Sequence, residues 1–498
     1  MNVNPITRLD YPDPDVIRVE DTYYMVSTTM HFMPGCEILQ SFDLVHWEHV
    51  TYVYETLDHT DAQQLKSGQN IYGQGMWAAS LRYHEGRFYI CFVANDTRKT
   101  YLYTSEKIDG PWKKQLIEGF YHDGSLLFDE DGRNYIVYGN DEIWITELNE
   151  DLTAPKKDGL HRLLVSDHKN PKLGYEGSHI QKINGYYYIF LIHSLRDRWM
   201  RTEACFYSDS LEGEFTGGDV LCDDRGYCGQ GVAQGGIVDT PDGKWYAMLF
   251  QDSGAVGRLP ILLPVTWKDH FPVFGQNGHV PEEIEVHSTR PGYIYQPLVG
   301  SDDFCNGLLP RWQFNHDPDP QYYHLDALQG TYTITTREVC TELTQAVNTL
   351  TQRMSYPSCA AEVTVDASAL KEGDVAGLCA FQGCYAAVGI TKHHGKYEVL
   401  MLDKKEDGIL DMTEGTVVES HQMDFRLEAD FCNMKDEARC YYRVNKGDWL
   451  PIGTVHKLYF KLDHFTGCRF GLFCYAAEET GGSACFRDFK YYDVDEIS

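Results

Sequence analysis

Short apolar runs that alternate with polar positions recur along the whole chain, and they are bounded by turn residues. In the first part of the chain one unit occurs five times, a Gly-, Asp- or Asn-rich turn followed by an aromatic run. The copies are VEDTYYMVS, HEGRFYICF, DEDGRNYIVY, INGYYYIFL and PDGKWYAMLF, and their shared tyrosines are Tyr24, Tyr89, Tyr135, Tyr188 and Tyr246. Each copy is typical of the second strand of a β-hairpin.

A second run precedes each copy and begins 11 or 12 residues before the shared tyrosine. These runs are DPDVIRV, AASLRYH, DGSLLFD, EGSHIQK and QGGIVDT. The tyrosines are 46 to 65 residues apart, which leaves room for about four short strands in each unit. Four-stranded units repeated around an axis form a β-propeller. We therefore predict a five-bladed propeller over residues 1–295; the signatures of WD40 repeats are absent.

From Ser301 onward the pattern changes to short alternating runs such as TYTITTREV, CAAEVTVDA and YEVLMLD. This pattern is typical of an antiparallel β-sandwich. A stretch with Pro and Gly, STRPGYIYQPLVGSDD, precedes it and is typical of a linker. The predicted fold is all-β, with a second domain, a jelly-roll sandwich, over residues 301–498.

Charge and cysteine content restrict the classes of binding partner and the cellular compartment that we expect. With 43 basic and 74 acidic residues the net charge is −31, which disfavours nucleic acid and anionic membranes as partners. No stretch of about 18 apolar residues occurs, and the N-terminus lacks the features of a secretory signal, so we expect a cytoplasmic protein. The 15 cysteines form no CxxC pair and are expected to be reduced, mostly buried thiols.

In each unit, the candidate functional residue is the first residue of the run that precedes the aromatic copy. That run is the innermost strand of each blade, so its five starting positions should converge at one end of the central channel. They are occupied by Asp13, Ala78, Asp123, Glu176 and Gln234. Blades three and four are neighbours, which predicts that Asp123 lies beside Glu176 and that Asp13 faces both. An acid and a carboxylate across a polar pocket are what glycoside hydrolysis requires.

An ordinary structural interpretation competes with this one, since Asp before Gly or Pro often satisfies its own backbone in a turn. A purely structural acid should recur in every unit, yet Ala78 and Gln234 fill two of the five positions. The unequal occupancy favours catalysis. In that interpretation Asp123 disfavours a second negative charge beside it and so keeps Glu176 protonated.

At these residues the sequence resembles glycoside hydrolase family 43. YPDPDVIRVEDTYYMVSTT is similar to the family's base motif, HDGSLLFDEDGRNYIVYG to its middle acidic motif and GYEGSHIQKINGYYYIF to its acid motif. GQGMWAASLRY and GAVGRLPILLPVTW resemble segments of β-xylosidase and α-L-arabinofuranosidase members, and residues 301–498 resemble their concanavalin-like sandwich. The resemblance implies Asp13 as general base, Asp123 as pKa modulator and orienter, and Glu176 as general acid.

The resemblance also implies the residues that bind the sugar. Trp77 and Ala78 correspond to a pocket-lining pair, Phe32 to an aromatic wall, and Arg258 to a basic residue that reaches the sugar. A tryptophan face packs on the apolar side of a sugar ring, and a guanidinium holds hydroxyls or a carboxylate. As general alternatives, Trp77 and Phe32 are core aromatics and Arg258 a surface ion pair.

The segment GQGVAQGGIVDT departs from the family, because many relatives have a histidine at the channel centre near a cation or water. Here Ala233 and Gln234 stand in that segment, so we expect no central metal and no required cofactor. Structural calcium in Asp- and carbonyl-rich loops of the sandwich is a separate expectation. His179, which follows Glu176 in the same run, is expected to be a structural histidine that faces the same side as the acid.

The predicted function is an exo-acting, inverting glycosidase that releases terminal β-D-xylose or α-L-arabinofuranose from oligosaccharides. Two alternatives stay open: a glycosidase of fructan or galactan type, and a non-catalytic carbohydrate-binding propeller. The fructan-type signatures WMNDPNG and RDP are absent. The expected partner is an oligosaccharide substrate, and a homo-oligomer is expected from the resemblance alone.

Overall fold

The computed structural model describes residues 3–413, 415–461 and 466–493, and its regular structure is almost entirely β. Within these ranges the only helical segments are three 3₁₀ turns, Lys66–Gly68, Leu343–Gln345 and Cys432–Met434. No helix in the described part of the chain is long and apolar enough to cross a membrane.

Five four-stranded antiparallel sheets follow one another in the first part of the chain. Their strands are β1 Asp15–Val19, β2 Thr22–Val26, β4 Gly35–Ser41 and β5 Glu48–Tyr54; β6 Met76–His84, β7 Arg87–Ala94, β8 Lys99–Ser105 and β9 Lys113–Ile117; β10 Ser125–Phe128, β11 Asn134–Asn140, β12 Glu142–Leu148 and β13 His161–Ser166; β14 Glu176–Ile183, β15 Tyr186–Ser194, β16 Arg201–Ser208 and β17 Thr216–Leu221; β18 Ile237–Asp239, β19 Trp245–Asp252, β20 Arg258–Lys268 and β21 Phe271–Phe274. The short strand β3, Phe32–Met33, lies between β2 and β4 in sequence but joins another sheet.

The first strands of the five sheets surround a common axis. Strand β1 contacts β6 and β18, β6 contacts β10, and β10 contacts β14. The side-chain amide of Gln181 on β14 donates to the carbonyl oxygen of Ile237 on β18 over 2.8 Å, which links the fourth and fifth sheets. The shared tyrosines all lie in the second strands. The predicted five-bladed propeller is confirmed.

The second part of the chain forms two large antiparallel sheets packed face to face. Their strands are β22 Gln313–Asn315, β23 Tyr323–Asp326, β24 Thr331–Thr335, β25 Leu350–Arg353, β26 Ser358–Asp366, β27 Asp374–Phe381, β28 Ala386–His393, β29 Lys396–Lys404, β30 Leu410–Met412, β31 Thr416–Val418, β32 Gln422–Asp430, β33 Glu437–Val444, β34 Leu450–Lys457, β35 Arg469–Ala476 and β36 Ser483–Asp493. One sheet has the order β23-β24-β36-β26-β32-β33-β34, and the other is built on β22, β25, β35 and β27 to β31.

The sandwich core is formed by alternate residues of the two sheets, including Val363, Leu378, Phe425 and Leu472. All 15 cysteines lie in the described part of the chain, and each is a free thiol. Ten of them are buried, as the sequence predicted.

The propeller and the sandwich share backbone hydrogen bonding, because β3 of the first blade pairs with β22 of the sandwich. We call this contact region the junction. The junction includes a 2.8 Å ion pair between Arg353 of β25 and Glu37 of β4, whose side chains are only 4% and 3% exposed. The guanidinium of Arg353 also lies 4.2 Å from the ring centre of Tyr11.

Candidate active site

The five converging positions occur at one end of the channel, which we call the catalytic mouth, and the backbone there is irregular. Asp13, Asp123 and Gln234 lie just before their strands with φ of 52°, 47° and 61°. Aspartate tolerates this left-handed region better than most residues. In such a turn the side chain does not follow the alternating side-chain directions of the strand that comes next.

The other two blades use β-bulges at the same place. The pairing of β14 with β15 shifts between Glu176 and His179, and that of β6 with β7 shifts between Trp77 and Ser80. Gly177 supports the bulge in β14 with φ of 65°, and a Cβ there would lie 2.7 Å from Cγ of Gln234. Bulges re-aim side chains at functional sites.

Asp13 is buried and held by two side chains. One oxygen accepts from the Arg258 guanidinium over 2.7 Å, and the other accepts from the Thr28 hydroxyl over 2.5 Å. The same Thr28 oxygen accepts from the backbone N–H of Ala78 over 2.8 Å. The carboxylate therefore bonds to side chains outside its own turn, unlike a structural turn aspartate.

Asp123 and Glu176 lie beside each other, with His122 between them. One ligand atom from each of the three residues lies within 4.8 Å of the others. Nε2 of His122 is 3.4 Å from Glu176 Oε2 and 3.5 Å from Asp123 Oδ2. Asp123 also accepts from the backbone N–H of Gly177 over 2.9 Å, and Glu176 accepts from the Asn140 amide over 2.8 Å.

Burial and neighbouring charges together set the pKa values of Asp123 and His122. Burial raises the pKa of Asp123 above its ordinary range, and the carboxylates of Glu176 and Asp13 raise it further, while His122 opposes them. Burial lowers the pKa of His122, but Asp123 and Glu176 outweigh it and the net pKa is about 9. His122 is therefore cationic at neutral pH and offsets part of the negative charge.

A chain of buried charges continues from Asp13 into the fifth and fourth blades. Nε of Arg258 lies 3.3 Å from Asp252, whose other oxygen forms an ion pair with Arg201. The ring of Phe250 lies beneath both guanidinium groups, 4.6 Å from Arg258 and 5.4 Å from Arg201. Burial and the neighbouring Arg258 lower the pKa of Arg201 to about 9.

Trp77 and Ala78 lie at the same mouth. The indole of Trp77 is partly exposed and meets the His122 ring edge-on, with 6.0 Å between ring centres. Ala78 is also partly exposed, and its N–H bonds to the threonine that holds Asp13. Trp77 therefore lies near His122, which contacts Asp123 and Glu176, and Ala78 lies near Asp13.

Phe32 does not line an open pocket. Its side chain is 0% exposed, in a cluster with the sandwich residues Phe381 and Tyr385. The Arg469 guanidinium lies 3.5 Å from its ring centre. The reason is that β3 leaves the first blade to pair with the sandwich, so its aromatic ring packs within the junction.

His179 lies inside the channel, where Nδ1 is 3.1 Å from Asp15 Oδ1. Asp15 also pairs with Arg82 over 2.8 Å. This buried pairing fits the structural role predicted for His179.

Several residues of the mouth were missed by sequence reasoning. His122 directly precedes Asp123, and its position in that motif was an available signal. Arg201 begins β16 and Asp252 ends β19, and only tertiary structure brings Arg201 to Asp252, which lies opposite Arg258 in the β19–β20 hairpin. No local pattern distinguishes them from other charged residues at strand ends.

Ala233, in the segment that departs from the family, pairs with Phe250 of β19. Ala233 packs in an apolar cluster with Ile192 and Phe250, so this residue does not fit a metal. Among the described residues, His122, Asp123 and Glu176 are the His, Cys, Asp and Glu side chains grouped closely enough to hold one. Calcium in the sandwich stays a prediction.

Comparison with known proteins shows the family. The model of glycosyl hydrolases family 43 matches residues 3–272. The chain belongs to glycosyl hydrolase family 43. Residues 301–492 match the β-xylosidase C-terminal concanavalin A-like domain. The protein is therefore a family 43 glycosidase.

Three similar proteins have the following identities and coverages. A solved bifunctional GH43-CE protein of Bacteroides eggerthii is 42% identical with a TM-score of 0.92, over 99% of this chain and 64% of that one. This chain thus spans less than two thirds of that protein. A β-xylosidase of Formosa agariphila is 27% identical over 99% of this chain and 89% of its own length. A xylosidase/arabinosidase 43B of Humicola insolens is 25% identical, with coverages of 98% and 96%.

Proposed function

We propose that the protein is an exo-acting, inverting glycosidase that releases terminal β-D-xylose or α-L-arabinofuranose from oligosaccharides. The observation that carries this proposal is the set of three carboxylates at one mouth, with Asp13 set apart from the close group of Asp123 and Glu176. The names of the similar xylosidases and arabinosidases support the choice of pentose.

Asp13 acts as general base in this proposal. Arg258 and Thr28 each donate to one of its oxygens, and these charge-assisted bonds fix the orientation of the carboxylate. The carboxylate removes a proton from a water molecule as that water attacks the anomeric carbon from the face opposite the leaving group. In an inverting enzyme the two carboxyl groups are about 6.5–9.5 Å apart, so that this water fits between them.

Glu176 acts as general acid and protonates the departing glycosidic oxygen. Its side chain is 22% exposed, more than that of Asp13 or Asp123, so a substrate oxygen reaches it more easily. Asp123 orients the acid through Gly177, the next residue in β14, whose backbone N–H donates to the Asp123 carboxylate. No covalent intermediate forms.

The sandwich supports the exo mode of action. Phe460, which follows β34, has its ring centre 6.0 Å from the Arg258 guanidinium, so a sandwich residue lies beside the catalytic mouth. A mouth bounded on one side by the second domain favours the end of a chain over its middle. The pentose then sits over the Asp13 and Arg258 pair.

Initial rates on aryl β-D-xyloside and aryl α-L-arabinofuranoside test the proposal directly. We expect turnover of at least one, and the Asp13→Asn variant, which lacks the proposed base, serves as the blank. Turnover of one substrate identifies the sugar. If neither substrate is cleaved above the blank, the proposed specificity is wrong.

The acid assignment has its own test, the Glu176→Ala variant. We expect it to lose most activity on natural linkages, a factor of about 10²–10⁴ for general acid catalysis, and to retain activity on substrates with very good leaving groups. Those substrates need little protonation to depart. Equal losses on both substrate types contradict the assignment.

A further inference from the structure

An exposed tryptophan lies on the loop that joins β15 to β16. Residue Glu176, at the start of β14, pairs with Ile192 near the end of β15, and Ser194 pairs with Arg201 at the start of β16. The connecting loop therefore lies at the catalytic mouth, on the same blade as the proposed acid. Trp199 on this loop is 40% exposed.

The loop is held in place by hydrogen bonds. The backbone N–H of Leu195 donates to the carbonyl oxygen of Met200 over 3.1 Å, and the Ser194 hydroxyl donates to the carbonyl oxygen of Arg198 over 3.2 Å. Trp199 is therefore presented on a short closed loop. This arrangement limits the conformational entropy that a bound ligand would have to remove.

Arg201 supports the indole from below. Its guanidinium lies 5.2 Å from the Trp199 ring centre and is itself fixed by the ion pair with Asp252. Arg201 is 4% exposed, so the indole packs against a buried side chain and not against a mobile one. Arg201 is joined to the proposed base by ion pairs, since Asp252 pairs with both Arg201 and Arg258, and Arg258 pairs with Asp13.

We infer that Trp199, stacked over Arg201, forms the subsite for the leaving-group sugar, a neutral pyranose of the oligosaccharide. This inference rests on the proposed function. The acid must lie beside the oxygen that departs, so the leaving group extends over the blade that carries Glu176. An exposed indole there offers its face to the apolar side of a pyranose ring.

The test compares two substrates with the same terminal pentose. One is a disaccharide whose leaving group is a sugar, and the other is the glycosyl fluoride, which has no leaving-group sugar. We expect Trp199→Ala to lower kcat/KM on the disaccharide ~10-fold and to leave the fluoride within about twofold, as for loss of one stacking contact of about 1.4 kcal/mol. Trp199→Phe retains a ring and should lose less.

A matched control is Trp449→Ala in the sandwich, where the Arg443 guanidinium lies 4.2 Å from the indole centre. It should change neither rate. Equal losses on both substrates for Trp199→Ala and Trp199→Phe would assign the residue a structural role and overturn the inference. An unchanged disaccharide rate would overturn it too. If the wild-type protein cleaves neither substrate, the proposed function fails first and the subsite with it.

Discussion

The junction and the catalytic mouth both bury charged side chains, but they balance those charges differently. In the junction each oxygen of Glu37 has its own partner, His49 at 3.0 Å and Arg353 at 2.8 Å. Burial raises the pKa of Glu37, but these partners outweigh it and hold the pKa below its ordinary value. In the mouth Asp123 shares one histidine with Glu176, and its pKa is raised.

Burial alone therefore does not decide the protonation of an acid in this protein. Glu37 and Asp123 are both nearly inaccessible, at 3% and 7% exposure, and their pKa values move in opposite directions. The difference is the number of neighbouring charges of each sign. The junction uses paired charges to hold two domains, whereas the mouth keeps an excess of acids that can exchange protons.

The largest expected effect comes from breaking the junction's ion pair. Arg353→Met leaves Glu37 buried with only His49, and losing one partner of a buried pair typically costs about 3–5 kcal/mol. We expect a clear fall in the free energy of unfolding, measured by denaturant titration, with kcat unchanged where the protein stays folded. Adding Glu37→Gln should recover part of the loss, and its failure to do so would contradict the pairing argument.

The mouth should show a smaller effect that depends on pH. The pKa of His122 is about 9 in the folded protein against an ordinary 6.5, so its stabilising contribution is complete below pH 6.5 and is lost as pH rises through 9. We expect the His122→Gln variant to show a flatter decline of Tm across this interval than the wild type. Identical slopes would mean that His122 does not carry this charge.

The smallest effect is expected from Asn140→Ala. The amide donates to Glu176 over 2.8 Å and so orients the proposed acid. Its loss should lower kcat/KM on natural linkages only about fivefold, since one hydrogen bond contributes about 1 kcal/mol, and should spare substrates with very good leaving groups. Equal losses on both substrate types would indicate a structural role for Asn140 instead.

The repeat made the propeller predictable from sequence, because each blade contains a local turn and strand pattern of nearly constant length. The same regularity predicted that Asp123 and Glu176 are neighbours, since consecutive blades are adjacent in space. The bulge at Glu176 and the left-handed turn at Asp13 were not predictable, because they depend on contacts with neighbouring blades.

Residues off the axis escaped prediction for a related reason. Arg201 and Asp252 form their ion pair only because two blades lie side by side, and no pattern in the intervening sequence predicts that contact. The family resemblance implied that Phe32 forms an aromatic wall of the pocket. The pairing of β3 with β22, which buries it, joins segments far apart in the chain.

That pairing also constrains the order in which the protein becomes native during synthesis. The side chain of Gln313 donates to the carbonyl oxygen of Pro34, a contact that spans 279 residues. The first blade thus emerges from the ribosome long before its partner strand exists, and its β3 backbone stays without a partner until then. Such non-local closure slows folding, so the earliest-made blade is among the last to be completed.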